Sequence, residues 1–149
     1  RLIIVYAGEK YKLGRGVTSL TTVTETEPED CKKIKIVEGM DVIRYDIYST
    51  FEGTYVGKVA NIYDNKQIFV GLVNDYFRQL YGSVLDGNEE NYVQVSAEGN
   101  RKYLEEKGID TSEMTDQQLL EANTGSWVFL EGKCRLLDAM EDLDLTMNM

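Results

Sequence analysis

The sequence predicts an α+β fold in which one well-formed amphipathic helix packs on a largely antiparallel β-sheet. Three observations predict it: short strand-like segments fill the first half of the 149 residues, an apolar stripe at helical spacing covers about 75–86, and two short capped helices follow at about 97–107 and 116–122. No shift in composition divides the chain. We therefore expect a single α+β domain over residues 1–149, which can be the soluble part of a longer chain because the first residue is Arg rather than Met.

The strand predictions rest on β-branched and aromatic residues in short runs. Residues 2–6 form an apolar run that suits a buried strand, and residues 34–37 and 42–49 follow as further strands. In 42–49, Ile43, Tyr45 and Ile47 alternate with polar neighbours, which is the two-residue period of a half-solvated strand.

A tandem phrase in "YVGKVANIYDNKQIFVGLVNDY", residues 55–76, indicates a β-hairpin. The sequence VGKV at 56–59 returns as VGLV at 70–73. If Asp64 and Asn65 form a two-residue turn, the two copies lie opposite each other, and both residues tolerate the positive φ that such turns require.

Helix signals are strongest in the second half. The stripe over 75–86 begins after Asn74, a candidate N-cap, and stops at Gly87; its members are Tyr76, Phe77, Leu80, Tyr81, Val84 and Leu85.

The two short helices are marked by their caps. Ser96 caps the first and Gly108 ends it, while Thr115 and Gln118 form a capping box at the start of the second. Residues 91–96 read as a strand, residues 125–132 as a strand with a turn at Glu131 and Gly132, and residues 134–149 as an acidic amphipathic helix that closes over its own domain.

Charge is distributed unevenly along the chain. Residues 1–33 carry six Lys/Arg against five Asp/Glu, residues 34–85 five against six, and residues 86–149 five against fifteen, which gives the net charge of −10. Nucleic acid is therefore excluded as a ligand, because its affinity comes from phosphate neutralisation. No apolar run approaches the roughly 20 residues of a membrane helix, so we expect no direct membrane insertion by this segment.

The chemistry available to the chain is narrow because it contains no His. Ser-His and Cys-His nucleophile pairs and a structural zinc site are ruled out, no cofactor motif is present, and an enzyme would have to use carboxylates. Cys31 and Cys134 can form a disulfide or can remain buried thiols, and the sequence does not choose between them.

Two sets of residues are candidate contacts. Tyr48 and Tyr63 are the least easily assigned to the core among ten Tyr residues, and so are predicted to lie on a contact surface. Asp86, Asn88 and Glu90 have the spacing of the first half of a calcium loop but lack its later ligands, so they suggest a weak calcium site at most.

These observations favour a non-catalytic binding or interaction domain with a protein partner rather than a small molecule. We expect an extracytoplasmic module of a larger or membrane-anchored bacterial protein. The alternative is an intracellular acidic inhibitor that occupies a basic site, and the second alternative is a carboxylate-dependent enzyme. The sequence predicts no oligomeric state.

Overall fold

The structure, a computed structural model, describes residues 2–20, 32–141 and 143–147. The predicted α+β class is confirmed, since these residues form four helices and two antiparallel two-stranded sheets. In chain order the elements are β1 (Leu2–Ala7), β2 (Lys10–Gly16), α1 (Ile34–Thr54), α2 (Tyr63–Gln79), β3 (Tyr92–Val95), α3 (Ala97–Glu106), α4 (Asp116–Glu121) and β4 (Leu130–Lys133).

The chain divides into two compact units. One comprises Arg1–Tyr45 with Leu136–Met149, and the other comprises Asp46–Arg135, so that the boundary falls inside α1. The expectation of one domain stays a prediction, because a compact unit need not fold independently.

Strands β1 and β2 form a hairpin in the first unit. The two-residue turn places Gly8 at its first central position with φ +73°, the left-handed conformation that a type II′ turn requires there. The pairing shifts by one residue between Ile3 and Ile4, which pair with Arg15 and Leu13. The strand predicted over 2–6 is thus confirmed, and β2 is its partner strand.

Helix α1 replaces the strands that we predicted at 34–37 and 42–49. Its buried residues are Ile36 and Ile43, and with Ile47 they share one face at helical spacing. The alternation of apolar residues within 42–49 was misleading, because over eight residues a two-residue period and a helical period select overlapping positions.

Helix α2 overturns the predicted hairpin over 55–76. Asp64, expected in a turn, lies in the first turn of the helix, where its charge favours the helix dipole. The helix also begins twelve residues before the predicted start at 75, and it ends at Gln79. Gly82, with φ +76°, follows in an irregular stretch where the prediction continued the helix to 86. The buried residues of α2 follow one helical stripe: Lys66, Phe69, Val70, Val73 and Phe77.

In the second unit, α2 packs against β3, which pairs in antiparallel register with β4. Asn74 is not a helix cap but a mid-helix residue that holds the strand. Its Oδ1 accepts a hydrogen bond from the backbone N–H of Val93 (2.8 Å), and its Nδ2 donates to the carbonyl of the same residue (3.0 Å). The strand predicted at 91–96 is confirmed as β3. The strand predicted within 125–132 is wrong for residues 125–129, and Glu131 and Gly132, predicted to form a turn, lie within β4.

Both short helices are confirmed with the predicted caps. The Ser96 hydroxyl accepts from the N–H of Gly99, and the reciprocal capping box of Thr115 and Gln118 is present. After α3, Gly108 adopts φ +78° and the N–H of Ile109 donates to the carbonyl of Leu104, so the predicted stop has the expected geometry.

The amphipathic helix predicted over 134–149 is wrong for the described part of that range. Residues 136–141 and 143–147 contain no helical turn. Asp138 and Asp144 disfavour a helix interior because an Asp side chain competes for backbone hydrogen bonds, as that of Asp138 does by accepting from the N–H of Ala139. Residues 142, 148 and 149 lie outside the described residues.

Candidate functional site

One face of the β1–β2 hairpin is apolar and open to solvent. Ile4 and Tyr6 lie on the same face of β1, and Tyr11 pairs with Tyr6 across the strands; their exposed fractions are 64, 63 and 78%. The two Tyr rings contact each other, with centroids 5.3 Å apart. The burial that the sequence predicts for the strand at 2–6 is therefore wrong for Ile4 and Tyr6. A run of apolar residues does not reveal whether the chain itself covers it.

The hairpin also has open edges. Among the described residues, no third strand is hydrogen-bonded to β1 or β2. In a hairpin closed by a two-residue turn, the pair that flanks the turn exchanges hydrogen bonds and the next pair does not. The backbone N–H and C=O groups of Tyr6 and Tyr11 therefore point outward, and a two-stranded hairpin of this kind is marginal until a further strand joins it.

Segment 143–147 has the pattern of a strand that has no sheet. Its odd positions are Leu143, Leu145 and Met147, whose exposed fractions lie between 69 and 88%, and its even positions are polar. The alternation is the two-residue period of a strand with one apolar face. In this structure the segment belongs to no helix and forms no ladder with the described strands.

An ion-pair cluster fixes the chain just before this segment. The ammonium of Lys33 donates to the carboxylate of Glu141 and lies 3.4 Å from that of Asp138. The hydrogen bond to Glu141 raises the pKa of Lys33. The pKa of Asp138 is lowered, first by the N–H of Ala139 and then by Lys33. These two pKa shifts favour the charged forms of Lys33 and Asp138, and the ion pairs hold residues 138–141 beside Lys33 within the first unit.

The hairpin and the segment carry opposite charge. Residues 2–16 contain Lys10, Lys12, Arg15 and Glu9, so their net charge is 3 − 1 = +2. Residues 138–147 contain four Asp/Glu and no Lys/Arg, so their net charge is −4. Opposite charge on two apolar strand-forming elements favours their association and suppresses pairing of like with like.

The predicted contact residues are separate from this site. Tyr48 is exposed on α1, and Tyr63 is the half-buried first residue of α2. Their role as contacts stays a prediction. Cys134 is exposed, but Cys31 lies outside the described residues, so the disulfide also stays a prediction.

The predicted calcium residues lie in the loop before β3. Asp86 Oδ1 accepts from the backbone N–H and the side-chain amide of Asn88, at 2.9 and 3.2 Å, so that this oxygen serves the loop itself. Glu90 follows in the same exposed loop. Within the described ranges, no three Asp, Glu or Cys side chains form a group able to hold a metal ion, and the weak calcium site stays a prediction. No helix in the described part of the chain could cross a membrane.

An open hairpin with an apolar face, and an unpaired strand-like segment of opposite charge, define a protein whose exposed elements are suited to contact with other protein chains. Comparison with known proteins identifies the family. Residues 26–149 match the family described as the phage tail sheath C-terminal domain. The chain is also 37% identical over 149 residues to the tail sheath protein of Clostridium phage phiCD119 (strain Clostridium difficile/United States/Govind/2006).

The chain belongs to the phage tail sheath C-terminal domain family. The alignment with the Clostridium phage protein covers 99% of this chain and 41% of that protein, so the chain spans about two fifths of the length of this relative. Our leading expectation, an extracytoplasmic module of a bacterial protein, is therefore wrong, and so are the acidic inhibitor and the carboxylate-dependent enzyme. The family is one of structural phage proteins, and the expected protein partner is supported.

Proposed function

We propose that this chain is part of a phage tail sheath subunit and that it acts without catalysis, by joining copies of the subunit to one another. The observation that carries the proposal is the β1–β2 hairpin, whose apolar face is exposed and to which no third strand of the described residues is hydrogen-bonded. Such a hairpin gains stability when another chain supplies a strand, because the strand satisfies its outward backbone groups and covers its exposed aromatic residues.

Segment 143–147 of a second copy is the strand that fits this edge. Its three apolar side chains lie on one face and match the face of Ile4, Tyr6 and Tyr11, while Asp144 and its acidic neighbours meet the basic hairpin. The contact is head-to-tail, since each copy offers one hairpin and one segment. Head-to-tail contacts repeat without limit unless they close into a ring, which is the geometry that a tubular sheath needs.

Three substitutions of the same kind test this contact. Ile4→Lys places a charge on the hairpin face, Leu145→Lys places one in the segment, and Ile109→Lys is the control at another exposed apolar position outside both. Burial of an Ile or Leu side chain contributes about 1.5–3 kcal/mol. We therefore expect each of the first two to weaken self-association by about tenfold or more, with no change for the control, measured by sedimentation velocity over a range of concentrations.

A mixing experiment then tests the direction of the contact. Ile4→Lys retains an intact segment and Leu145→Lys retains an intact hairpin, so an equimolar mixture should form one-to-one complexes although neither variant associates with itself. Circular dichroism of each variant checks that its fold is retained. Equal association by all three variants, or a mixture that stays monomeric at concentrations where the parent chain associates, would refute the proposal.

A further inference from the structure

A cavity in the second unit has features that the contact described above does not use. It has a volume of about 370 Å³, within the range of sites that hold small ligands, and it is bounded by the end of α1, the connection 56–61, the start of α2 and the loop 125–128. Its walls are mainly apolar, and the aromatic rings of Phe51, Tyr55 and Phe69 contact one another there.

Lys66 supplies the charge in this cavity. Its side chain is only 4% exposed, because it occupies a core position on the buried stripe of α2. The ammonium donates to the hydroxyl of Thr124 (3.2 Å), which in turn donates to the carbonyl of Trp127. No carboxylate of the described residues forms an ion pair with Lys66, so none of its three N–H donors has an anionic acceptor there, and the hydroxyl of Thr124 accepts from only one of them. Burial lowers the pKa of Lys66 accordingly.

The start of α2 adds to the attraction for an anion. The N-cap residue is Ile62, which has no side-chain acceptor, and no side chain caps this end of the helix. The first N–H groups of a helix and the positive end of its dipole favour a negative group placed before them. The cavity includes this first turn through Asn65 and Lys66.

Asn61 fixes one wall of the cavity. Its Nδ2 donates to the carbonyls of Gly125 (2.8 Å) and Trp127 (2.9 Å), which holds the connection 56–61 against the loop 125–128. Because the remaining walls are mainly apolar, the occupant must carry an anion on a small apolar stem. The side chain of an acidic residue has this combination, whereas a phosphate has no apolar stem and more charge than one ammonium balances.

We infer that this cavity binds an Asp or Glu residue of a second copy of the chain, with the side-chain carboxylate on Lys66 and the start of α2. The identity of the partner rests on the proposed function, and the composition supports it, because Asp and Glu outnumber Lys and Arg by 26 to 16. The site gives the subunit a second contact with its neighbour, at a distance in sequence from both the hairpin and the segment 143–147.

A matched pair of probes tests the chemistry of the cavity in the 149-residue chain. N-acetyl-glutamate N-methylamide carries the required groups, and N-acetyl-glutamine N-methylamide is its neutral counterpart. With lysines labelled at Cε, NMR titration should show saturable binding of the first and an upward shift of the Lys66 pKa by at least one unit. The glutamine probe should bind at least tenfold more weakly. No binding, or equal binding of the two probes, would overturn the inference.

Three variants test the identity of the partner. Lys66→Met removes the charge with little change of volume, and Ser126→Trp places a large ring beside the cavity and keeps the lysine. Lys102→Met is the same substitution at an exposed lysine on α3, which does not line the cavity. The first two should abolish probe binding and weaken self-association at least fivefold, and the third should change neither. If the probe binds but association is unaffected, a second copy is not the occupant and the inference fails. If the parent chain does not self-associate at all, the proposed function fails, and the probe titration still decides whether the cavity binds an acidic residue.

Discussion

Asn74 gives the most direct test of how the second unit is held together. Its side chain reaches from the middle of α2 to β3 and forms two hydrogen bonds with the backbone of Val93. These are the hydrogen bonds that a neighbouring strand would make on the edge of β3 opposite β4. The amide has the same donor and acceptor pair as a backbone peptide, which is why Asn suits this position. We predict that Asn74→Ala destabilises the unit by removing both hydrogen bonds while leaving the backbone of Val93 in place.

The magnitude follows from the two bonds and from their surroundings. Each hydrogen bond contributes about 1 kcal/mol net, and a backbone group left without a partner in a partly buried place adds to the cost. Asn74 is half-buried, so water replaces part of what is lost. We therefore expect a loss of about 2–3 kcal/mol in the free energy of unfolding. That is a large fraction of the 5–15 kcal/mol, roughly, that holds a typical domain together.

Urea unfolding monitored by the fluorescence of Trp127 measures this loss, because the single Trp of the chain lies in the same unit. Asn65→Ala is the matched control on the same helix, since Asn65 makes one exposed side-chain bond, to the carbonyl of Ala60. It should cost no more than about 0.5 kcal/mol. Hydrogen exchange should show that protection of the Val93 amide falls in Asn74→Ala. A loss below about 0.5 kcal/mol, or unchanged protection at Val93, would show that the Asn74 bridge does not hold the strand.

Three further predictions test other parts of the second unit. Gly132→Ala should disrupt the pairing of β3 with β4 and cost about 1–3 kcal/mol, because an added Cβ would lie 2.4 Å from the carbonyl oxygen of Tyr92. Gly71→Ala, in open space on α2, should instead stabilise the chain by up to about 1 kcal/mol. Urea unfolding of the two variants measures both changes. Thr115→Ala should cost about 1 kcal/mol in the same assay by removing the capping box of α4, and an unchanged midpoint would contradict that role. Burial, together with the hydrogen bond from its hydroxyl to Asp46, raises the pKa of Tyr76 to about 12. The protonated form of Tyr76 is favoured in the folded chain, so its contribution to the free energy of unfolding is full below about pH 10 and is lost as the pH rises towards 12. Over that range the melting temperature should fall less steeply in Tyr76→Phe than in the parent chain or in the control Tyr48→Phe. Parallel curves for the three proteins would exclude the effect.

Local signals in the sequence were reliable wherever one or two side chains decide the geometry. Ser96, Thr115 and Gln118 form caps through their own hydrogen bonds, and Gly108 ends a helix through its own φ angle. None of these features depends on distant residues, which is why they can be read from the sequence directly.

The strands and the hairpin predicted within residues 34–73 were wrong because distant packing, rather than a local side chain, decides the structure there. The Val, Ile and Tyr residues of this region have strand propensity, and the repeated Val-Gly phrase resembles two arms of a hairpin, but α1 and α2 bury an apolar stripe that compensates for low helix propensity. The apolar stripe of α2 also predicts a charged side chain at a buried position. Lys66 precedes Phe69, Val70 and Val73 by three, four and seven positions, so once the helix is recognised a lysine is predicted on its buried face.

The candidate interface could not be predicted because sequence patterns show which residues avoid water but not which chain covers them. Ile4 and Tyr6 have the pattern of a core strand, and Leu143 has the helical spacing from Leu136 and Met140, yet Ile4, Tyr6 and Leu143 are exposed in the single chain. What the sequence does show is the separation of charge, with the acidic excess confined to residues 86–149. A two-fold contact between identical patches would bring either two basic hairpins or two acidic segments together. Opposite charges meet when the hairpin of one copy faces the segment of another, and so the charge pattern favours contact of hairpin with segment over contact of like with like.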